Sequence, residues 1–185
     1  DVGPPFDADG MYGWAKLIGE RVLDAYAREY GIQAVSCRYF TAYGPRAGES
    51  HAVMAMIARA FIRQDPFEVW GTGEQLRNWT YVSDIVAGTL EAASCRVQGE
   101  AFNIGTTEGT RVRDAAQMIL DRAGHRAQIV TRSDMPTGPY YRIAKNKKLF
   151  EATGWRPSVS FSEGLARTMH WYFEEKSVTA VKARI

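Results

Sequence analysis

With 185 residues, 45% of them hydrophobic and 24% charged, the chain has the make-up of one ordinary globular domain able to bury about 70% of its unfolded surface. Its net charge of +2 is too small to argue for nucleic acid or an anionic membrane as partner. No apolar run approaches the roughly 20 residues a membrane-crossing helix needs, so a cytoplasmic protein is expected.

The first segment, Asp1 to Asp9, is rich in Pro and Asp (Pro4, Pro5, Asp7, Asp9) and reads as neither a signal peptide nor a basic targeting sequence. Residues 11–30 are predicted helical, with Gly31 as C-cap. Tyr12, Lys16, Glu20, Asp24 and Arg28 recur at steps of four and form a narrow polar stripe. Trp14, Leu17, Ile18, Val22, Leu23 and Tyr26 spread round the rest, so this helix is expected to be buried on more than one side, against a sheet and another helix.

Residues 32–40 are predicted as a strand, with a sharp turn at Thr41-Ala42-Tyr43-Gly44-Pro45-Arg46. A helix capped by Ser50 follows to about Gln64. Strands are predicted over 67–70 and 78–82, separated by the Gly71-Thr72-Gly73 turn, and Ser83 is expected to cap a helix ending near Cys95. A strand over 101–104, a helix over 112–123 closed by Gly124 and a strand over 128–131 come next. Met135 to Pro139 is loop, 146–153 is a short helix stopped by Gly154, and Ser160 with Glu163 is a capping box for the last helix, to about Lys176. The tail 178–185 is expected to fray. Alternating strands and helices predict an α/β fold with parallel strands. Cys37 and Cys95 read as two reduced thiols, and His51, His125 and His170 lack any ligand spacing, so no metal site is expected.

Tyr12 and Lys16 open the first helix four residues apart, which puts both side chains on one face. A lysine ammonium near a phenol favours the phenolate, a sensible way to take a proton from an alcohol. Tyr141/Lys145 and Tyr172/Lys176 share the spacing, so spacing alone does not choose among them.

Five stretches together do choose. They are Tyr12-Gly13-Trp14-Ala15-Lys16; Arg38-Tyr39-Phe40-Thr41-Ala42-Tyr43-Gly44-Pro45-Arg46; Trp70-Gly71-Thr72-Gly73-Glu74-Gln75-Leu76-Arg77-Asn78-Trp79-Thr80-Tyr81-Val82-Ser83-Asp84; Phe102-Asn103-Ile104-Gly105; and Gly154-Trp155-Arg156-Pro157 with Glu163-Gly164-Leu165. In this order they resemble the C-terminal half of the extended short-chain dehydrogenases/reductases of the nucleotide-sugar epimerase/dehydratase type. The resemblance implies Tyr12 as catalytic base and Lys16 as its partner, both also touching cofactor. It implies Thr41, Arg77 and Arg142 as substrate-binding residues, the two arginines reading the nucleotide phosphates, which guanidinium geometry suits. Relatives usually carry asparagine where Thr41 stands and an acid where Lys145 stands. His51 aligns with an acid histidine of the GDP-fucose synthase branch, although a surface histidine at a helix N-terminus is the plainer reading.

No G-x-G-x-x-G turn follows a predicted strand, and the expectation drawn from this is that the N-terminal NAD-binding half is absent. The fold expected is therefore the C-terminal part of such an enzyme, a partial Rossmann-like sheet plus a small α/β substrate-binding domain. Residues 1–48 would be a Rossmann remnant carrying Tyr-x-x-x-Lys, 49–176 mainly a nucleotide-sugar-binding domain and 177–185 a flexible tail. The function expected is the substrate-binding, catalytic-tyrosine half of an NAD(P)-dependent nucleotide-sugar epimerase or dehydratase, not active alone. The alternative is a non-catalytic nucleotide-sugar-binding or self-associating module. NAD or NADP is expected for the intact family but not bound by this chain alone. The expected partners are a UDP-, GDP- or dTDP-linked sugar, a second copy of the chain through the first helix, and a separate N-terminal half.

Overall fold

The computed structural model describes residue 8 and residues 10–95 and 99–185; Pro4, Pro5, Asp7 and Asp9 lie outside the described residues. Helix α1, Gly10–Tyr30, matches its predicted span, but its packing does not. Only Ala27 is fully buried, while Met11, Tyr12, Trp14, Ile18, Val22, Tyr26 and Tyr30 are exposed. The stripe turned toward the body is Gly13, Leu17, Glu20, Asp24 and Ala27. A charge sets this orientation: Arg38 Nε donates to Glu20 Oε1 at 2.6 Å and Nη2 to Oε2 at 2.5 Å, a two-pronged pair between helix and strand.

Strand β1, Val35–Tyr39, pairs in parallel with β6, Glu100–Ile104, from Val35 opposite Glu100 to Tyr39 opposite Ile104. Between them come β2, Ala42–Tyr43; α2, Ala52–Phe61; β3, Phe67–Trp70; β4, Leu76–Arg77; β5, Thr80–Tyr81; and α3, Val82–Ser94. After β6 come β7, Thr110–Arg111; α4, Val112–Arg122; β8, Ile129–Arg132; β9, Tyr141–Arg142; α5, Lys147–Thr153; α6, Phe161–Glu175; and α7, Val178–Lys182. β2 pairs in parallel with β5, and β3 with β8. β4 sits between antiparallel β7 and parallel β9.

The expected partial sheet plus separate small domain is corrected by this pairing. β1 and β2, from the early chain, find their partners in β6 and β5, far beyond it, and parallel pairs flanked by helices recur as far as β9. The parallel, Rossmann-like α/β pattern therefore runs through the described chain and is not a remnant at one end.

Local chemistry explains most of the elements. α2 is apolar all round except for Arg59, and it buries Val53, Met54, Met56, Ile57, Ala58 and Ala60. α4 buries Ala115, Ala116, Ile119 and Leu120, spaced three and four apart on one face. Gly154 stops α5 in the left-handed conformation, φ +77, where its lack of Cβ removes the steric penalty. The expected caps Ser50 and Ser83 are not used; His51 and Tyr81 stand at those positions without a side-chain bond. The predicted strand over 78–82 is instead β4 and β5, interrupted where Asn78 Nδ2 turns to donate to the Thr106 carbonyl at 2.8 Å.

The larger core joins α2, β3, α4 and α6 through Ile57, Phe67, Ile119, Leu165 and Tyr172. Where a frayed tail was expected, α7 reaches this core with Val181, which is buried. A smaller core holds Ile85, Phe102, Ile104, Leu149 and Trp155. Among the described residues no helix is long and apolar enough to cross a membrane.

Candidate functional site

The site grows out of β4 and its neighbours. β3 sends Phe67 and Val69 into the core and leaves Trp70 outward, as alternation on a strand requires. The chain then turns at Gly71, φ +76, where a Cβ would overlap Gln75 Nε2 and Thr137 Cγ2. Only glycine allows both that backbone and that closeness. Gln75, itself buried, donates from Nε2 to the Trp70 carbonyl at 3.3 Å and fixes the turn.

β4 then places Arg77 in register with Arg142 of β9. Parallel register puts the two side chains on one face as neighbours. Burial, and then the neighbouring Arg142 charge, pull the Arg77 guanidinium below its ordinary pKa range, which still leaves it charged at neutral pH. Arg77 braces the loop beside it: Nη2 donates to Thr137 O at 2.7 Å, and Nη1 to Leu76 O at 2.8 Å and Tyr140 O at 3.4 Å. Among the described residues, neither arginine has a carboxylate partner.

These groups line a cleft of about 480 Å³ that also contains Thr41, Arg59, Glu49 and Arg184. Arg59 donates to the Glu68 carbonyl at 3.0 Å and lies with Cζ 5.9 Å from the centre of the Trp70 ring. Burial lowers its pKa against the opposing pull of Glu68. Four guanidinium groups thus face one carboxylate, Glu49. Like charges held close repel, and an anion placed between them relieves that repulsion while taking charge-assisted hydrogen bonds. The arrangement suits a diphosphate and opposes a cation.

The structure brings the expected Thr41, Arg77 and Arg142 to this one cleft. Tyr12 and Lys16 stand apart, on the first turns of α1. Lys16 Nζ is 5.4 Å from the centre of the Tyr12 ring, and Tyr12 is 77% exposed. The pair lies outside the cleft lining. Both side chains of this pair are exposed to solvent.

The other Tyr–Lys pairs separate clearly. Tyr172 is fully buried and its hydroxyl donates to Glu49 at 3.0 Å; burial, then that bond to Glu49, push the phenol well above its ordinary range. Tyr141 is exposed at β9 beside Arg142. A second, shallower cleft contains His51 with Tyr43, Arg46 and Val82, and shares Thr41 and Arg142 with the first. No group of three or more His, Cys, Asp or Glu side chains that could hold a metal is found among the described residues.

Sequence reasoning missed Glu49, Arg59 and Arg184. Arg59 carried a signal, as the one charge in an apolar helix. Glu49 and Arg184 carried none, because only the packing of α7 brings them together.

The family model described as "NAD dependent epimerase/dehydratase family" matches residues 2–105. The chain is 33% identical to the UDP-N-acetyl-alpha-D-glucosaminuronate decarboxylase of Bacillus cytotoxicus, covering 92% of this chain and 59% of that one. It is 30% identical to the GDP-mannose 3,5-epimerase of Arabidopsis thaliana, covering 92% and 46%. Its fold is similar to that of the UDP-glucose 4-epimerase of Thermotoga maritima solved with UDP-glucose, with TM-score 0.81 and 32% identity over 88% of this chain and 53% of that one. The chain spans about half the length of the curated relatives it matches.

The family match corrects the reading of the chain as a C-terminal half whose NAD-binding half is absent. It begins at residue 2 and runs through α1 and β1 to the end of β6, so the NAD-dependent family's own domain is represented from the first helix onward. The expectations of a substrate-binding half inactive alone, and of a chain that does not itself bind NAD or NADP, rested on that reading and fall with it.

Proposed function

Because the chain belongs to the NAD dependent epimerase/dehydratase family, we propose that its arginine-lined cleft takes the diphosphate of a nucleotide sugar and that Tyr12 and Lys16 move the proton in an NAD(P)-dependent epimerase or dehydratase reaction. The observation that carries this reading is the register of Arg77 and Arg142 on adjacent parallel strands, with no carboxylate partner among the described residues. The relatives named above carry UDP or GDP in their substrates' names, and the group those substrates share is a nucleoside diphosphate.

Residues 1–48 carry the Tyr-x-x-x-Lys pair and residues 49–176 supply most of the cleft. When bound, a nicotinamide dinucleotide supplies the hydride acceptor and donor for oxidising and re-reducing a sugar carbon. Tyr12 and Lys16 are the residues that would face its ribose. Lys16 holds positive charge beside the phenol, and Tyr12 Oη takes the proton of a sugar hydroxyl and returns it. Thr41 offers one short hydrogen bond to phosphate. The exposed apolar stripe of α1 is the contact for a second copy of the chain.

The test is titration calorimetry of the chain with UDP-glucose, GDP-mannose and dTDP-glucose, with and without NAD⁺ or NADP⁺. One or more should bind, and Arg142→Ala should weaken that binding about tenfold, the scale of one charged hydrogen bond. Arg142 is exposed and braces nothing, so its variant should fold normally. No binding of any of the three, with or without dinucleotide, would refute the reading.

A further inference from the structure

The cleft has a member delivered from the far end of the chain. α7 is anchored by Val181, 2% exposed within the larger core. The Arg184 amide donates to the Val181 carbonyl at 3.0 Å, which fixes the backbone there. Its guanidinium lines the same cleft as Arg77 and Arg142.

Glu49 holds Arg184 asymmetrically. Glu49 Oε1 accepts from the Tyr172 hydroxyl at 3.0 Å and lies 3.7 Å from Lys176 Nζ. Oε2 lies 3.8 Å from Arg184 Nη1. The Arg184 side chain is 64% exposed and that of Glu49 only 17%. Burial works against the Glu49 charge, but its own backbone amide, Tyr172, Lys176 and Arg184 outweigh it and hold the carboxyl below its ordinary range. Were Arg184 to turn away, Glu49 would keep both partners on its other oxygen. Arg184 is therefore the member of this group that can leave for another anion without stranding a buried charge.

Resting on the reading of the cleft as a nucleotide-sugar site, we infer that Arg184 is a third guanidinium for the bound diphosphate, paired with Glu49 until the nucleotide enters and then transferred to phosphate. The exchange breaks one long ion pair and forms charge-assisted bonds to phosphate oxygens, the stronger arrangement for a planar guanidinium.

The experiment uses the whole chain and calorimetric titration with UDP, GDP, UMP and GMP at fixed low salt. Arg184→Ala should weaken UDP or GDP about tenfold, but the corresponding monophosphate by less than about twofold. Arg184→Lys should recover part of the loss. Because the side chain is exposed, thermal melts should show the variants folded like the parent. If the parent binds UDP or GDP and Arg184→Ala binds equally well, the inference is overturned while the cleft reading stands. Equal weakening of mono- and diphosphate also overturns it. If the parent binds dTDP-glucose but none of the four, dTDP and dTMP replace them; if it binds no nucleotide sugar either, the cleft reading itself fails and takes the inference with it.

Discussion

Tyr12 shows what a single residue can reveal from sequence and what it cannot. Its spacing from Lys16 predicted neighbours on one helical face, and the structure has them so. Because Tyr12 is exposed and its hydroxyl supports no fold contact among the described residues, Tyr12→Phe should leave stability within about 0.5 kcal/mol of the parent. Turnover of an accepted nucleotide sugar should fall by a factor on the order of 10² or more, the usual share of a general base. Unchanged turnover, measured as sugar conversion with NAD⁺ present, would remove Tyr12 from the mechanism. Arg77 and Arg142 were singled out by the resemblance to a family, not by local pattern, and the structure places both on one cleft. Arg184 was not legible, because an arginine near a chain end has no local partner that could single it out.

At the scale of elements, helices closed by a glycine and strands with clear alternation were readable, and short strands were not. β3 has two buried positions separated by one half-buried residue, and its span follows from that alternation. β4, β5 and β7 are two residues each; they exist because of who lies beside them, which no local pattern encodes. The capping box of α6 falls between these cases. Ser160 Oγ accepts from the Glu163 amide at 3.2 Å, as predicted. The returning half is missing, because the Glu163 carboxylate is taken by Arg167 at 2.5 Å. The two residues should therefore behave differently. Ser160→Ala should cost about 1 kcal/mol, the usual value of an N-cap. Glu163→Ala should cost no more than about 0.5 kcal/mol, as for an exposed helical ion pair. Urea unfolding of both variants decides it, and equal losses would show that Glu163 caps the helix in solution.

For the whole molecule, the informative failure is α1. Its sequence spreads Trp14, Leu17, Ile18, Val22, Leu23 and Tyr26 over much of the circumference, which predicted burial on more than one side; Trp14, Ile18, Val22 and Tyr26, followed by Tyr30, recur at steps of four. In the structure that face points outward, and the chain's own body takes the stripe containing Glu20 and Asp24. Burial on more than one side was expected, but the described chain covers one side only. Those side chains are already about half covered, so complete burial adds on the order of 1 kcal/mol each, which over two stripes sets a driving force comparable to the cost of association. The proposed two-fold pairing of α1 with α1 of a second copy would satisfy it, since such an interface needs only a self-complementary apolar stripe. Sedimentation at micromolar concentration should show a dimer. Replacing Ile18 and Val22 together by Glu should give a monomer with an unchanged thermal melt of the core, because neither residue touches the buried clusters. If the parent chain sediments as a monomer, the stripe is not a self-association surface and the pairing is wrong. If the double variant stays dimeric, the copies meet elsewhere on the molecule.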